Sequence, residues 1–115
     1  YIEILQRPII GQKPIVFIDD DEMMRTTWAF AASDADINIA LFASVDEFIN
    51  VIDTFPNDTL IYIDSDLGGN INGEIEAKKL FSLGFTELHI ATGYSPSKFK
   101  NMPWLKSIVE KTPPF

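Results

Sequence analysis

The sequence predicts a three-layer α/β sandwich around a five-stranded parallel sheet, and three observations carry the prediction. Short apolar runs alternate with segments whose apolar residues recur at helical spacing, in the order βαβαβαβαβ. Such alternation gives parallel strands joined by right-handed crossovers. Two runs, Ile15-Val16-Phe17-Ile18 and Leu60-Ile61-Tyr62-Ile63, are apolar at every position, as strands covered on both faces are. Both end in acid: Asp19-Asp20-Asp21-Glu22 follows the first and Asp64-Ser65-Asp66 the second.

Residues 1–13 are read as a linker or N-terminal extension, because Pro8 and Gly11 punctuate the apolar Ile2, Ile4 and Leu5. The domain proper is expected over residues 14–115, beginning with the strand Ile15 to Ile18. Met24, Trp28, Ala31 or Ala32, and Ala35 then give one apolar helical stripe. The acids before it suit the positive end of the helix dipole. Ile37, Ile39 and Leu41 alternate with Asn38, Ala40 and Phe42 as a second strand.

Ser44-Val45-Asp46-Glu47 has the form of a capping box, opening a helix that buries Val45, Phe48, Ile49 and Ile52. Pro56-Asn57 closes that unit, and the strand to Asp64 follows. A polar, glycine-rich loop reaches Gly73; Ala77, Leu80 and Phe81 mark a third helix, with Gly84 at its C′ position. Leu88 to Ala91 makes a fourth strand. Pro96 opens a short helix that Pro103 stops, and Ser107 to Glu110 is the last strand.

Composition narrows the function classes. The chain has 115 residues, 46% of them hydrophobic, which is one domain with one modest core. No apolar run approaches the roughly eighteen residues of a membrane span, and no signal-peptide pattern opens the chain, so a cytoplasmic setting is expected. With no cysteine and one histidine, thiolate and multi-histidine metal sites are excluded. A formal charge of −8 argues against direct nucleic-acid binding. The start at Tyr1 suggests a piece of a longer protein.

Two parallel neighbours ending in acid deliver carboxylates to the carboxyl edge of the sheet, where open α/β sheets bind ligands. The residues therefore predict a carboxylate pocket for a divalent cation, with Asp64 as its reactive member. Each residue also has a plainer explanation. Strand-end aspartates cap helices, and Asp21 and Glu22 suit a solvated first turn. Thr92 alone is an ordinary turn residue and Lys111 an ordinary surface lysine. His89 is expected to be structural, and Trp28 and Trp104 to be packing residues.

The ordered strand ends Ile18-Asp19-Asp20, Ile63-Asp64, Ala91-Thr92-Gly93 and Val109-Glu110-Lys111 make the chain resemble the receiver domain of bacterial two-component response regulators. The match runs from about Pro14 to Lys111, and Ala91 to Phe115 further resembles C-terminal receivers of hybrid sensor histidine kinases. The resemblance implies a flavodoxin-like sheet of order 2-1-3-4-5. It implies Asp64 as phosphoacceptor, in a domain that catalyses its own phosphorylation and dephosphorylation. It also implies Mg²⁺, held by Asp20 and Asp64, by Asp19 through water, and by the carbonyl of Asp66. A hard cation with oxygen ligands is what an anionic donor and acceptor require. Lys111 would pair with the phosphoryl oxygens, Thr92 would move to bond them, and Gly93 would leave room for the donor. The implied partner is a histidine kinase or a phosphotransfer domain.

The sequence departs from that pattern in places. The loop from Asp64 to Gly73 is long, the segment from Thr92 to Lys111 implies a reduced fourth helix, and no fifth helix follows Lys111. A homodimer is therefore not expected to use the usual face of fourth helix, fifth strand and fifth helix. The side of the sheet beside the first helix is expected to be covered by Ile2, Ile4, Leu5, Ile9 and Ile10. Two alternatives stay open: Asp64-Ser65-Asp66 is also the DxD form of haloacid-dehalogenase-like phosphatases, and a degenerate receiver would act only in docking.

Overall fold

The computed structural model describes residues 14–115. Five strands, β1 (Ile15–Ile18), β2 (Ile39–Phe42), β3 (Ile61–Asp64), β4 (Leu88–Ala91) and β5 (Ser107–Val109), form one parallel sheet. Their order is β2-β1-β3-β4-β5, as the resemblance implied. Ile18 pairs with Ile63 and Asp64 with Ala91, so Asp19 and Asp64 leave adjoining strands at one level and Thr92 follows one residue beyond it. The helices are α1 (Glu22–Asp34), α2 (Val45–Ile49) and α3 (Gly73–Ser82). Where the sequence implied a reduced fourth helix there is only a 3₁₀ turn, Pro96–Phe99, and no helix follows β5 among the described residues.

Strand alternation sends side chains to two cores. On one face Val16, Ile18, Ile61, Ile63, Leu88 and Ile90 pack against Val45 and Phe48 of α2 and Ala77 and Leu80 of α3. On the other, Phe17, Leu41 and Ala91 pack against Trp28 and Ala29 of α1. Phe115 joins this second core, its ring edge-on to Trp28 at 5.9 Å. Part of the face expected to be covered by the N-terminal isoleucines is thus covered by the chain's other end. Those isoleucines themselves lie outside the described residues.

The helix ends follow local chemistry. Ser44 Oγ accepts from the Glu47 amide at 3.1 Å, and Glu47 Oε1 reaches back to the Ala43 amide at 2.9 Å. This closes the predicted capping box one residue further out than usual. Gly84 stands at C′ of α3, and the bonds Phe85 N–H to Leu80 O and Gly84 N–H to Phe81 O form a Schellman motif. α1 ends in the same motif with Asp36 at C′, φ 54°, where no glycine signals it.

Three helical stripes differ from expectation. α2 ends at Ile49, and Ile52 lies in a separate 3₁₀ turn, Ile52–Thr54, half-buried like Ile49. The buried side of α1 is Arg25, Trp28, Ala29 and Ala32, with Met24 at its margin and Ala35 exposed as the C-cap. The rotation buries Arg25, whose guanidinium Nη1 donates to the Asp19 carbonyl at 2.7 Å. On α3, Gly73, Glu74, Ala77 and Leu80 are buried but Phe81 faces solvent.

Candidate functional site: a carboxylate cluster at the strand ends

Asp19 follows β1 and is fully buried; Asp64 ends β3 and is nearly so; Asp20 is exposed. One oxygen from each lies within 4.8 Å of the others. Glycines shape the ground around them. A Cβ on Gly73 would fall onto the Asp64 carbonyl, so the chain can return to β3 only without a side chain there. A Cβ on Gly68, already at φ +89°, would meet Asp20 Oδ2 at 2.8 Å. The intervening loop is a small hairpin, with Asp66 bridged to Asn72 and the Gly73 amide bonded to the Ser65 carbonyl at 2.8 Å.

Lys111 crosses from beyond β5. Its Nζ is 3.2 Å from Asp64 Oδ1 and 3.8 Å from Asp19 Oδ2. The second distance gives attraction without a hydrogen bond, so Asp19 Oδ2 stays buried with no hydrogen-bond partner. Asp19 Oδ1 accepts from the Asp21 amide at 2.9 Å. Burial pushes the Asp19 carboxyl up to about 6, with the Asp64 charge adding to it and the Asp21 amide and Lys111 opposing. Burial also raises Asp64, against the hydrogen bond and charge of Lys111. Burial would lower Lys111, but the hydrogen bond and charge of Asp64, with Asp19 and Asp21, raise it overall.

Thr92 leaves β4 with its amide on the Val109 carbonyl. Its hydroxyl is 2.9 Å from Ser65 Oγ and accepts from the Tyr94 amide at 3.1 Å. A cavity of about 300 Å³, lined by Asp64, Ser65, Asp66, Gly93, Tyr94 and Lys111, opens onto the acids. Asp66 is exposed, and its carboxylate accepts from the Gly68 amide at 3.1 Å rather than joining the other three. Three carboxylates with one orphaned buried oxygen are a donor set fitted to a hard divalent cation.

No protein-family model matches the chain, and no curated protein matches it in sequence. Solved structures do. The N-terminal domain of a response regulator/sensory box/GGDEF three-domain protein from Carboxydothermus hydrogenoformans superposes with TM-score 0.71 at 15% identity, over 87% of this chain and 82% of that one. A CheY-like response regulator receiver domain from Methylobacillus flagellatus gives TM-score 0.71 at 14% identity, over 88% and 87%. Another, from Methanospirillum hungatei JF-1, gives 0.71 at 20% identity, over 88% and 82%. The chain has the receiver fold.

Within this receiver fold, Asp19, Asp20, Asp64, Thr92 and Lys111 gather at one edge as the sequence reading expected, and the Asp66 carboxylate stands apart. His89 packs as a structural residue: it stacks on Tyr62 at 5.0 Å, and its Nδ1 is 2.6 Å from Ser107 Oγ. Burial lowers its pKa, with Glu87 opposing. Sequence reasoning missed three contributors. Arg25 holds the Asp19 carbonyl, Ser65 holds the Thr92 hydroxyl, and Trp28 donates its indole N–H to the Lys111 carbonyl at 3.0 Å. Ser65 was signalled by its place beside Asp64, and Arg25 by the Met24-Arg25 pair, which sits where receivers often have such a pair. Among the described residues no helix is long and apolar enough to cross a membrane.

Proposed function

We propose that this domain is a phosphoacceptor: Asp64 takes a phosphoryl group from a phosphohistidine on a histidine kinase or phosphotransfer domain, in a Mg²⁺-dependent step. The observation that carries this reading is the lysine ammonium 3.2 Å from a buried strand-end carboxylate that two further acids flank. Asp20 and Asp64 would hold the cation, with Asp19 through water and the Asp66 carbonyl completing the set. Bound there, Mg²⁺ supplies the positive charge that lets an anionic donor approach an anionic pocket.

An Asp64 oxygen forms the new bond to phosphorus as the P–N bond of the donor breaks. The imidazole leaves with that electron pair and takes a proton. Lys111 moves its ammonium from the carboxylate to the phosphoryl oxygens, a short shift for a point charge on a flexible stem. The Thr92 hydroxyl leaves Ser65 for the same oxygens. The setting we propose is cytoplasmic, in phosphorelay signalling, with the domain carried by a hybrid sensor kinase. The haloacid-dehalogenase-like alternative needs a second acid at the nucleophile, and Asp66 turns its carboxylate to Gly68 instead.

Intact-mass measurement after exposure to phosphoramidate tests the reading. Wild type should be labelled with Mg²⁺ and not in chelator, and Asp64→Asn in neither. If Asp64→Asn is labelled as well as wild type, the assignment of Asp64 fails.

A further inference from the structure

Lys111 stands beyond the ladder that places its neighbours. The rung nearest it is the Thr92 amide on the Val109 carbonyl, 2.9 Å long. A lysine stem is flexible, so the point at which its backbone is fixed decides where Nζ can rest. That point is held from α1. The fully buried Trp28 donates its indole N–H to the Lys111 carbonyl at 3.0 Å.

The same ring lies flat on Phe17, centroids 3.9 Å apart at 4°, and leans on Tyr62 at 5.5 Å. Phe17 shares its strand with the approach to Asp19, and Tyr62 shares its strand with Asp64. One indole therefore touches the strands that deliver both buried acids and bonds the residue that delivers the ammonium. Packing alone does not require the N–H, which an indole offers as its single donor.

We infer that Trp28 is a positioning residue for Lys111, fixing the reach of Nζ to Asp64; this rests on the phosphoacceptor reading. Trp28→Phe keeps an aromatic ring on Phe17 and removes the donor. A displacement of about an ångström at a reacting centre slows chemistry by up to about a hundredfold. The full chain is labelled with phosphoramidate at saturating Mg²⁺, and Mg²⁺ affinity is measured by calorimetry. Trp28→Phe should slow labelling about ten- to a hundredfold. The Mg²⁺ Kd should stay within about twofold, because the lysine is not a ligand. In a Lys111→Ala background the same substitution should change the rate by less than about twofold, since the two residues act as one unit.

Equal slowing in both backgrounds makes Trp28 merely structural and overturns the inference, as does no slowing in the first. Nitrogen-15 spectra of wild type make the same test without a variant. On adding beryllofluoride with Mg²⁺, the Trp28 indole N–H signal should move while that of Trp104 stays; a stationary Trp28 signal overturns the inference. A wild type that is never labelled removes the phosphoacceptor reading and this inference together. A labelled wild type with an unaffected variant removes only this inference.

Discussion

Replacing Asp19 with asparagine should stabilise the metal-free protein, and more so at pH 8 than at pH 5. Asp19 is fully buried, and its carboxyl is raised from 3.8 to about 6, chiefly by that burial. A raised folded-state value contributes stability that is complete below the unfolded value near 3.8 and is lost as pH rises through about 6. Roughly two units correspond to about 3 kcal/mol at pH 8. At pH 5 the folded protein keeps Asp19 protonated, and about half of that cost remains. Asparagine retains an oxygen for the Asp21 amide and drops the charge. At about 3–4 °C per kcal/mol for a domain of this size, the melting temperature should rise by about 10 °C at pH 8 and about 5 °C at pH 5. Adding Mg²⁺ at pH 8 should stabilise wild type by mass action and the variant less. Melts followed by circular dichroism in chelator and in Mg²⁺ read all of this. A variant that melts below wild type at pH 8 in chelator would refute the reasoning, and Asp19 would then be a needed acceptor. A gain that is equal at both pH values would show that ionisation is not its source.

Ser65→Ala removes the buried hydroxyl 2.9 Å from Thr92. It should cost about 1 kcal/mol of stability and tighten beryllofluoride binding several-fold, since Thr92 no longer has to leave a partner. Unchanged or weaker binding in a titration would count against Ser65 as a restraint on Thr92. Gly73→Ala places a methyl on the Asp64 carbonyl, a backbone atom that cannot swing aside. The expected loss is about 3 kcal/mol or more in urea unfolding, and a loss under about 1 kcal/mol would mean that the loop yields easily.

The parts of this molecule that local pattern encodes were legible in its sequence. Consecutive apolar residues marked the two central strands, and the acid following each placed Asp19, Asp20 and Asp64 at one edge. Thr92 and Lys111 were reached because they too end strands, although neither is distinctive alone. Ser44 with Glu47, and Gly84, marked helix ends through the hydrogen bonds their side chain or backbone makes nearby. What escaped depends on contacts across the fold. Hydropathy places an arginine outside, yet Arg25 is buried because the Asp19 carbonyl, just past β1, meets its guanidinium. Periodicity gave α1 an apolar face but not its rotation, which Trp28 sets by reaching a carbonyl 83 residues away. Phe81 fits the helical stripe of α3 yet faces solvent, which periodicity alone does not distinguish. Asp36 replaces the glycine that usually announces a helix end.

The ladder joining β4 to β5 has three residue pairs, Ser107 to Val109, and among the described residues β5 is paired on this side alone, at an edge of the sheet. Short edge elements open locally at a fraction of the free energy that unfolds the centre. Asp19 and Asp64 extend the central strands β1 and β3, whereas Lys111 extends this edge. The two signs of charge in the site are therefore carried by parts of unequal tenacity. Opening this edge would carry the cation away and leave the anions, so a local breathing motion there would also change the site's electrical balance.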